Sequence, residues 1–456
     1  MGIFDGPDVF ITVSSEPDCE SRSWYKPWSW FQETLCDRRL ELNWINFDKL
    51  YSPSAQDSDY VGLFSWDPTS PFSPQPPPPP PEKHKCPVSS VSQAALGYYK
   101  TTARYERRDD LSPGMNDPCF LGYWIAYVRV TTAKDNGTTS TKVLKSNCLK
   151  LHPFWMAELR ESIGDLPLTS LMIPGTHNSG SWEVYKGVVS EINPLSAYEI
   201  TQEESIYDQL MHGIRYLDVR VSYHPILPIN FWVSHELLPQ IPLTSLLSDV
   251  QRFVEETGRR EIVFVDFHRF HSGLNRPEIH TQLIHLVDSH LGSYLVPYNQ
   301  PVGMLTPNQL WKQRDGNGSR TVFLTYPDPL VRKQYSFLWP PFQHSWANTN
   351  NISQLENFLG EDLQVFGCRG RYWTLMAELT ATASDVLTRP HIGLRGMSQD
   401  VNRNVTLWFR RKDWYSRAMA IASDFFLGNN LIEMAIKANA HRAVCNLNDN
   451  VDTTEN

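Results

Sequence analysis

The chain has 456 residues, of which 41% are hydrophobic and 12% aromatic, with a formal charge of -9. That length and apolar content can bury a large core and suggest two domains, or one large and one small. The negative balance offers no electrostatic footprint for nucleic acid, and with no run of about 18 apolar residues no transmembrane helix is expected.

The opening Met-Gly-Ile-Phe-Asp-Gly lacks a basic n-region and an apolar h-region, and Gly6 stands where myristoylation wants Ser or Thr. A cytoplasmic or peripheral-membrane location is therefore expected, with secretion as the alternative. Five of the seven cysteines (Cys19, Cys36, Cys86, Cys119, Cys148) fall in the first third. In an extracellular protein this would indicate one or two disulfides there; without a visible signal peptide the default is free buried thiols. Sequons at Asn136, Asn317, Asn351 and Asn404 matter only in a secreted chain.

Residues 1–152 read as an all-β sandwich. Short β-rich segments at Val9 to Ser14, Leu40 to Trp44, Tyr60 to Trp66, Gly97 to Tyr105 and Gly122 to Thr132 are separated by Pro, Asp, Ser and Gly clusters and carry no helical period. Residues 71–82 hold six consecutive prolines from Pro76 to Pro81, which can join neither sheet nor helix and should form an extended surface loop. An SH3- or WW-type partner at Pro76 to Pro81 is one reading. A stiff solvated insertion is the preferred one, because no basic specificity residue sits beside a PxxP frame.

Residues 153–445 alternate strand and helix, the pattern of parallel βα units in a TIM-type (β/α)8 barrel, and 446–456 read as a disordered tail. Strands are expected near Leu168 to Ile173, Ile214 to Arg220, Asn230 to Ser234, Glu261 to Phe267, Thr321 to Tyr326, Tyr372 to Glu378, Asn404 to Phe409 and Ala418 to Phe425. Leu243, Leu246, Leu247, Val250 and Val254 repeat at a helical spacing that stops at Gly258, and Pro277 to Leu291 repeats the theme.

Polar groups appear where the apolar strands stop: His177-Asn178-Ser after Pro-Gly-Thr, Asp218-Val-Arg220, Val-Ser-His235, Asp266-Phe-His268 and Ala-Ser-Asp424. Such strands are buried on both faces and present reactive side chains only at their C-terminal ends. Two imidazoles and a guanidinium at one rim suit acid-base attack on an anion. Cleaving a phosphodiester through a neighbouring hydroxyl needs a base, an acid for the departing alkoxide and a fixed cation for the phosphorane. Histidine titrates near neutrality, and arginine presents a permanently charged planar fork. Asp218 and Arg220 lie two apart on a strand and so share a face. Asp266 and His268 do likewise and, with Glu378 and Tyr326 at other strand ends, are candidate substrate-binding groups; barrel packing is the alternative for Asp266, His268 and Glu378.

Taken together, these motifs make residues 165 to 440 resemble the X domain of phosphatidylinositol-specific phospholipase C, in particular the small animal X-domain proteins and the bacterial enzymes, with an extra N-terminal β domain. The resemblance implies that His177 is the base acting on the inositol 2-hydroxyl, His235 the acid protonating the diacylglycerol oxygen, Arg220 the phosphate clamp, Asp424 the orienter of His177, and Asp218 a group that pins the guanidinium or positions the substrate hydroxyl. It implies cleavage of phosphatidylinositol-type lipids at a membrane surface to diacylglycerol and inositol cyclic phosphate. The calcium-dependent members place a second carboxylate where Arg220 stands, and a guanidinium there repels a cation, so no cofactor is expected, with calcium as the disfavoured alternative. The bacterial members have Asp where this chain has Asn178, which hydrogen-bonds but cannot raise an imidazolium pKa by charge. Two alternatives remain: a catalytically weak lipid-headgroup or protein-binding module on the same barrel, and a metal-dependent glycerophosphodiester hydrolase. The latter expects a His-Arg-Gly opening that the chain lacks.

His212, His285, His290, His344 and His391 read as surface or core residues. Phe337, Leu338, Trp339, Phe342 and Trp346 cluster after the fifth expected strand, where insertion into a lipid interface and packing beneath the loop are equally open.

Overall fold

A computed structural model describes residues 2–19, 36–52, 57–71, 80–134, 137–185, 197–236, 238–299, 303–312, 318–389 and 392–443. The expected tail, most of the proline run and His391 lie outside the described residues. The chain divides into two units, residues 1–151 with 427–430 and residues 152–426 with 431–456.

In the first unit every named ladder is antiparallel. Asp8–Val13, Arg39–Ile45 and Leu96–Arg104 form a three-stranded sheet, and Lys85–Val88, Asp57–Phe64, Trp124–Thr132 and Thr139–Cys148 a four-stranded one. The core lies between them, where Phe47 stacks on Tyr127 at a centroid distance of 3.9 Å. Two strands of the four-stranded sheet escaped the sequence reading. Lys85–Val88 is interrupted by Pro87, and Thr139–Cys148 is largely solvent-facing and polar. The expectation of free thiols is corrected: Cys119 and Cys148 form a disulfide, Cys368 in the second unit is also disulfide-bonded, and Cys86 is free. Backbone bonds from Leu149 to Tyr123 and from Leu151 to Pro118 bring the Cys119 turn beside the strand end. The two Cα atoms consequently stand 5.7 Å apart, a span a bridge can close.

The second unit is built on eight parallel strands, named here β1 (Ile173–Thr176), β2 (Tyr216–Tyr223), β3 (Val263–Phe270), β4 (Val322–Thr325), β5 (Leu338–Trp339), β6 (Gln343–Ser345), β7 (Trp373–Met376) and β8 (Ala420–Ser423). Their order is β5-β4-β3-β2-β1-β8-β7-β6. The edge strands β5 and β6 are therefore consecutive in the chain, joined only by Pro340, Pro341 and Phe342. Laid flat, eight strands would span about 34 Å, whereas that connection reaches about 14 Å at most. The sheet must curl round, and it forms a barrel with one unladdered seam, at β5 and β6, where two prolines withhold backbone donors.

Three of the expected strands are corrected. Asn230 to Ser234 becomes Phe231–His235, which leaves the parallel set to pair antiparallel with the end of β2 and with Leu238–Pro242. Asn404 to Phe409 lies in the helix Gly393–Phe409, whose buried Leu394, Val401, Val405, Trp408 and Phe409 recur at helical spacing. Leu168 to Ile173 shifts to β1, because Leu168–Ser170 is a 3-10 turn. The short β5 and β6, absent from the sequence reading, complete the set of eight.

The helix Leu243–Glu256 buries Leu243, Leu246, Leu247, Val250, Phe253 and Val254, and Pro277–Leu291 is helical as expected. At the base of the barrel Arg215 is fully buried and paired to Glu261 at 2.7 Å. Its remaining donors go to the carbonyls of Leu210, Ile214, His152 and Pro153. The carboxylate of Glu261 also accepts the backbone N–H groups of Met156 and Ala157. Of the two arginines in the Gly213 motif, one therefore locks the base while the other faces the mouth.

Candidate active site

The His177 turn follows β1 and is built by its own small polar residues. The hydroxyl of Thr176 donates to Gln209 Oε1 at 2.8 Å, and Ser179 Oγ donates to the Thr176 carbonyl at 2.9 Å. Asn178 adopts a φ of 41°, a left-handed conformation that Asn tolerates better than most residues. Gly180 is required by contact, since a Cβ there would lie 2.6 Å from Val233 Cγ1. The hairpin strand that carries His235 can thus close against the turn that carries His177.

His177 Nδ1 lies 2.7 Å from Asp424 Oδ1, and His177 Nε2 lies 3.0 Å from Arg220 Nη2. A guanidinium only donates, so Nε2 must hold a lone pair and Nδ1 the proton, which it gives to Asp424. That tautomer is the one a general base needs. Burial pulls the imidazole's pKa down, but Asp424 and Glu378 outweigh it and raise the pKa, against a lowering by Arg220. Gln202 Nε2 donates to the carbonyls of His177 and Ser423, and Thr201 Oγ1 to those of His177 and Asn178. From the helix Gly393–Phe409, Asn402 Nδ2 donates to the Asp424 carbonyl. These three braces escaped the sequence reading, because no motif marks a side chain whose partner is backbone.

Asp218 is buried. Its Oδ2 accepts the Asn178 backbone N–H at 3.1 Å and lies 3.6 Å from Arg220 Nη2. Burial pushes its carboxyl up, but Arg220, His344, His177 and His268 together hold it well below the ordinary range. The guanidinium is half-buried between that carboxylate and His177, with its Nε unpartnered. The carboxamide of Asn178 is buried with neither polar atom partnered.

His235 donates from Nδ1 to the Glu199 carbonyl at 2.8 Å, which leaves Nε2 as the free nitrogen. Burial drives its pKa down to about 3, with Arg220, His177 and His271 lowering it further against the Glu199 carbonyl. This imidazole is therefore neutral in the resting state. Glu378 follows β7, is buried with both oxygens unpartnered, and is pushed up to about 7 by burial, with Asp424 and Asp218 raising it and His177 and Arg220 opposing.

The structure thus brings His177, Arg220, Asp218, Asp424, Asn178, His235 and Glu378 to one end of the barrel. Asp266 is held in a neighbouring network, together with His268. Tyr326 does not join them: its hydroxyl lies 2.6 Å from His280 Nδ1. His344, read from sequence as a bystander, lies 3.2 Å from Asp266 Oδ2. Of the aromatic cluster, Leu338, Trp339 and Phe342 are buried, while Trp346 is half exposed.

The second unit is thus a parallel barrel that carries two imidazoles, a guanidinium and a histidine-bound carboxylate at its strand ends. No family model matches the chain. Among curated proteins it is 28% identical over 310 residues to PI-PLC X domain-containing protein 3 of Mus musculus, covering 62% of this chain and 92% of that protein. It is likewise 28% identical over 298 residues to PI-PLC X domain-containing protein 2 of Homo sapiens, with 60% and 92% covered. The chain is homologous to the PI-PLC X domain-containing proteins over about three fifths of its length. Among solved structures, the phosphatidylinositol-specific phospholipase C of Listeria monocytogenes aligns with a TM-score of 0.47 at 16% identity, covering 63% of this chain and 98% of that one. A Staphylococcus aureus enzyme of the same name gives 0.46 at 13%, with 63% and 97% covered.

Proposed function

We propose that the barrel is a phosphodiesterase that cleaves phosphatidylinositol-type lipids to diacylglycerol and an inositol cyclic phosphate. The observation that carries this reading is the chain Asp424–His177–Arg220, with links of 2.7 and 3.0 Å. It presents a base in the working tautomer beside a cation able to bind a phosphate.

On substrate binding, Arg220 turns from His177 to the phosphate oxygens, and the lone pair on His177 Nε2 takes the proton of the 2-hydroxyl as its oxygen attacks phosphorus. His235 Nε2 faces the departing alkoxide. Because the resting imidazole is neutral, it must acquire its proton with the substrate, and a phosphate anion beside it favours the charged form. Asp218 and the unpartnered Asn178 and Glu378 supply polar contacts to the inositol hydroxyls. Metal is not needed at Arg220, whose guanidinium occupies the position of a bound cation and repels one. A lipid surface as partner is supported by exposed apolar side chains that follow strand C-termini: Ile226 after β2, Leu330 after β4, Trp346 after β6 and Leu387 after β7.

A second reading, a headgroup-binding module with weak turnover, is favoured by one observation: His235 has no carboxylate partner among the described residues and is held neutral. Release of soluble inositol phosphate from labelled vesicles in EDTA separates the two. Product from wild type that disappears in His177→Ala and in His235→Ala, with vesicle binding unchanged, supports the phosphodiesterase. Vesicle binding without product from any version supports the binder and overturns the catalytic reading.

A further inference from the structure

Beside the imidazole–guanidinium centre stands a second group of side chains with different chemistry. Asp266, buried on β3, pairs in register with Asp218 across the β2–β3 ladder. Directly after it the register slips, with Phe267 opposite Val219 but Arg269 opposite Arg220. His268 is the extra residue of this bulge, a device that re-aims a side chain. Its ring stacks on that of His344 from β6 at a centroid distance of 3.4 Å.

We propose that Asp266, His268 and His344 form a site for a divalent transition metal of the zinc type, held by Asp266 Oδ2, His268 Nδ1 and His344 Nε2. These three atoms lie within 4.8 Å of one another. His344 Nε2 is 3.2 Å and His268 Nδ1 3.8 Å from Asp266 Oδ2. With metal–ligand bonds of about 2.0–2.1 Å, tetrahedral donors stand about 3.3–3.4 Å apart, between those two values. The longer distance exceeds a hydrogen bond, and His268 Nδ1 is buried with no hydrogen-bond partner among the described residues. With its proton on Nε2, His268 turns a lone pair at Nδ1 toward the carboxylate, and a cation between them would engage both.

Two imidazole nitrogens and one carboxylate oxygen suit zinc and neighbouring first-row ions, and are too few and too soft for calcium or magnesium. Thr325 donates to Asp266 Oδ1 and so orients the carboxylate, while the Tyr216 hydroxyl, 2.7 Å from Oδ2 and 2.8 Å from His344 Nε2, yields the latter contact to the ion. The ring planes are 8° apart, so a shared ion requires them to splay about their soft χ2 torsions. Three protein ligands leave one position of a tetrahedral ion open.

This site stands independently of the phosphodiesterase reading, and its test does not use turnover. The full-length protein is stripped with chelator, and Zn2+ is titrated in competition with a metallochromic dye, with Co2+ as the visible-absorbing probe. The expected result is one equivalent of Zn2+ per chain, a raised melting temperature on loading and Co2+ bands of a four-coordinate N/O site. Affinity should fall at least about tenfold in His268→Ala and in His344→Gln. His177→Ala, which disables the proposed catalysis, should bind as wild type does. No Zn2+ uptake by folded wild type, or equal uptake by both histidine variants, overturns the proposal; His268 is partly exposed, so its variant is expected to fold.

Discussion

At the scale of single residues, Asp424 and Glu378 are two buried carboxyl groups near one imidazole with opposite tasks. Asp424 accepts from His177 and fixes its tautomer. Replacing it with Asn removes the negative charge and allows the other tautomer, so turnover on phosphatidylinositol vesicles should fall about 100- to 10,000-fold with vesicle binding unchanged. Glu378 has no partner, and its carboxyl is lifted to about 7. Its folded-state pKa exceeds the unfolded value, so the folded state holds the extra proton and stability declines as pH rises from about 4.5 through about 7. Once Glu378 is ionised, the loss is on the order of 3 kcal/mol. Denaturant unfolding at a series of pH values should show that decline in wild type and a flatter profile in Glu378→Gln; identical profiles would refute the assignment. The convergence of His177, Arg220 and Asp424 was legible in the sequence because these polar side chains follow apolar strand runs. Thr201, Gln202, Asn402 and Glu199 were not, because they serve through backbone contacts made by distant segments. His344 was passed over because β6 is too short to carry a periodic signal.

At the scale of elements, the approach of the His177 turn to the Phe231–His235 strand decides whether the two imidazoles meet. Gly180 sits where any Cβ would press on Val233, two residues before His235. Gly180→Ala should cost about 1–3 kcal/mol and reduce turnover by displacing His235. Pairing it with Val233→Ala should recover much of the melting temperature, and failure of the pair to do so would remove the contact as the cause. The hairpin also explains a misreading. Asn230 to Ser234 carries the apolar content of a barrel strand, and nothing in that composition tells an antiparallel partner at the tip of β2 from a parallel one. Asn404 to Phe409 misled for another reason, since its Val and aromatic residues suit a strand while burial at Leu394, Val401 and Val405 obeys a helical period.

At the scale of the whole molecule, alternating strand and helix made the barrel legible, and scattered turn residues did the same for the antiparallel unit. The sequence reading of free thiols failed because disulfide pairing depends on which strand end meets which turn, a tertiary fact. Trp346 was singled out in the sequence, but Ile226 and Leu387 were not, since exposure is no property of sequence. Ile226 is 95% and Leu387 80% exposed, after β2 and β7 respectively. Burying such a side chain contributes about 1.5–3 kcal/mol. Ile226→Ser with Leu387→Ser should therefore weaken vesicle partitioning by at least about tenfold in a sedimentation assay. Cleavage of a water-soluble inositol phosphodiester should be unaffected, and unchanged sedimentation would exclude these residues from the interface.

The 3.0 Å link between Arg220 and His177 has a consequence for the idle protein. With its nucleophilic nitrogen capped by a guanidinium, this histidine should resist acylating reagents such as diethyl pyrocarbonate. Under the proposed phosphodiesterase reading, inorganic sulfate that draws the arginine away should hasten its modification, where a simple competitor would shield it.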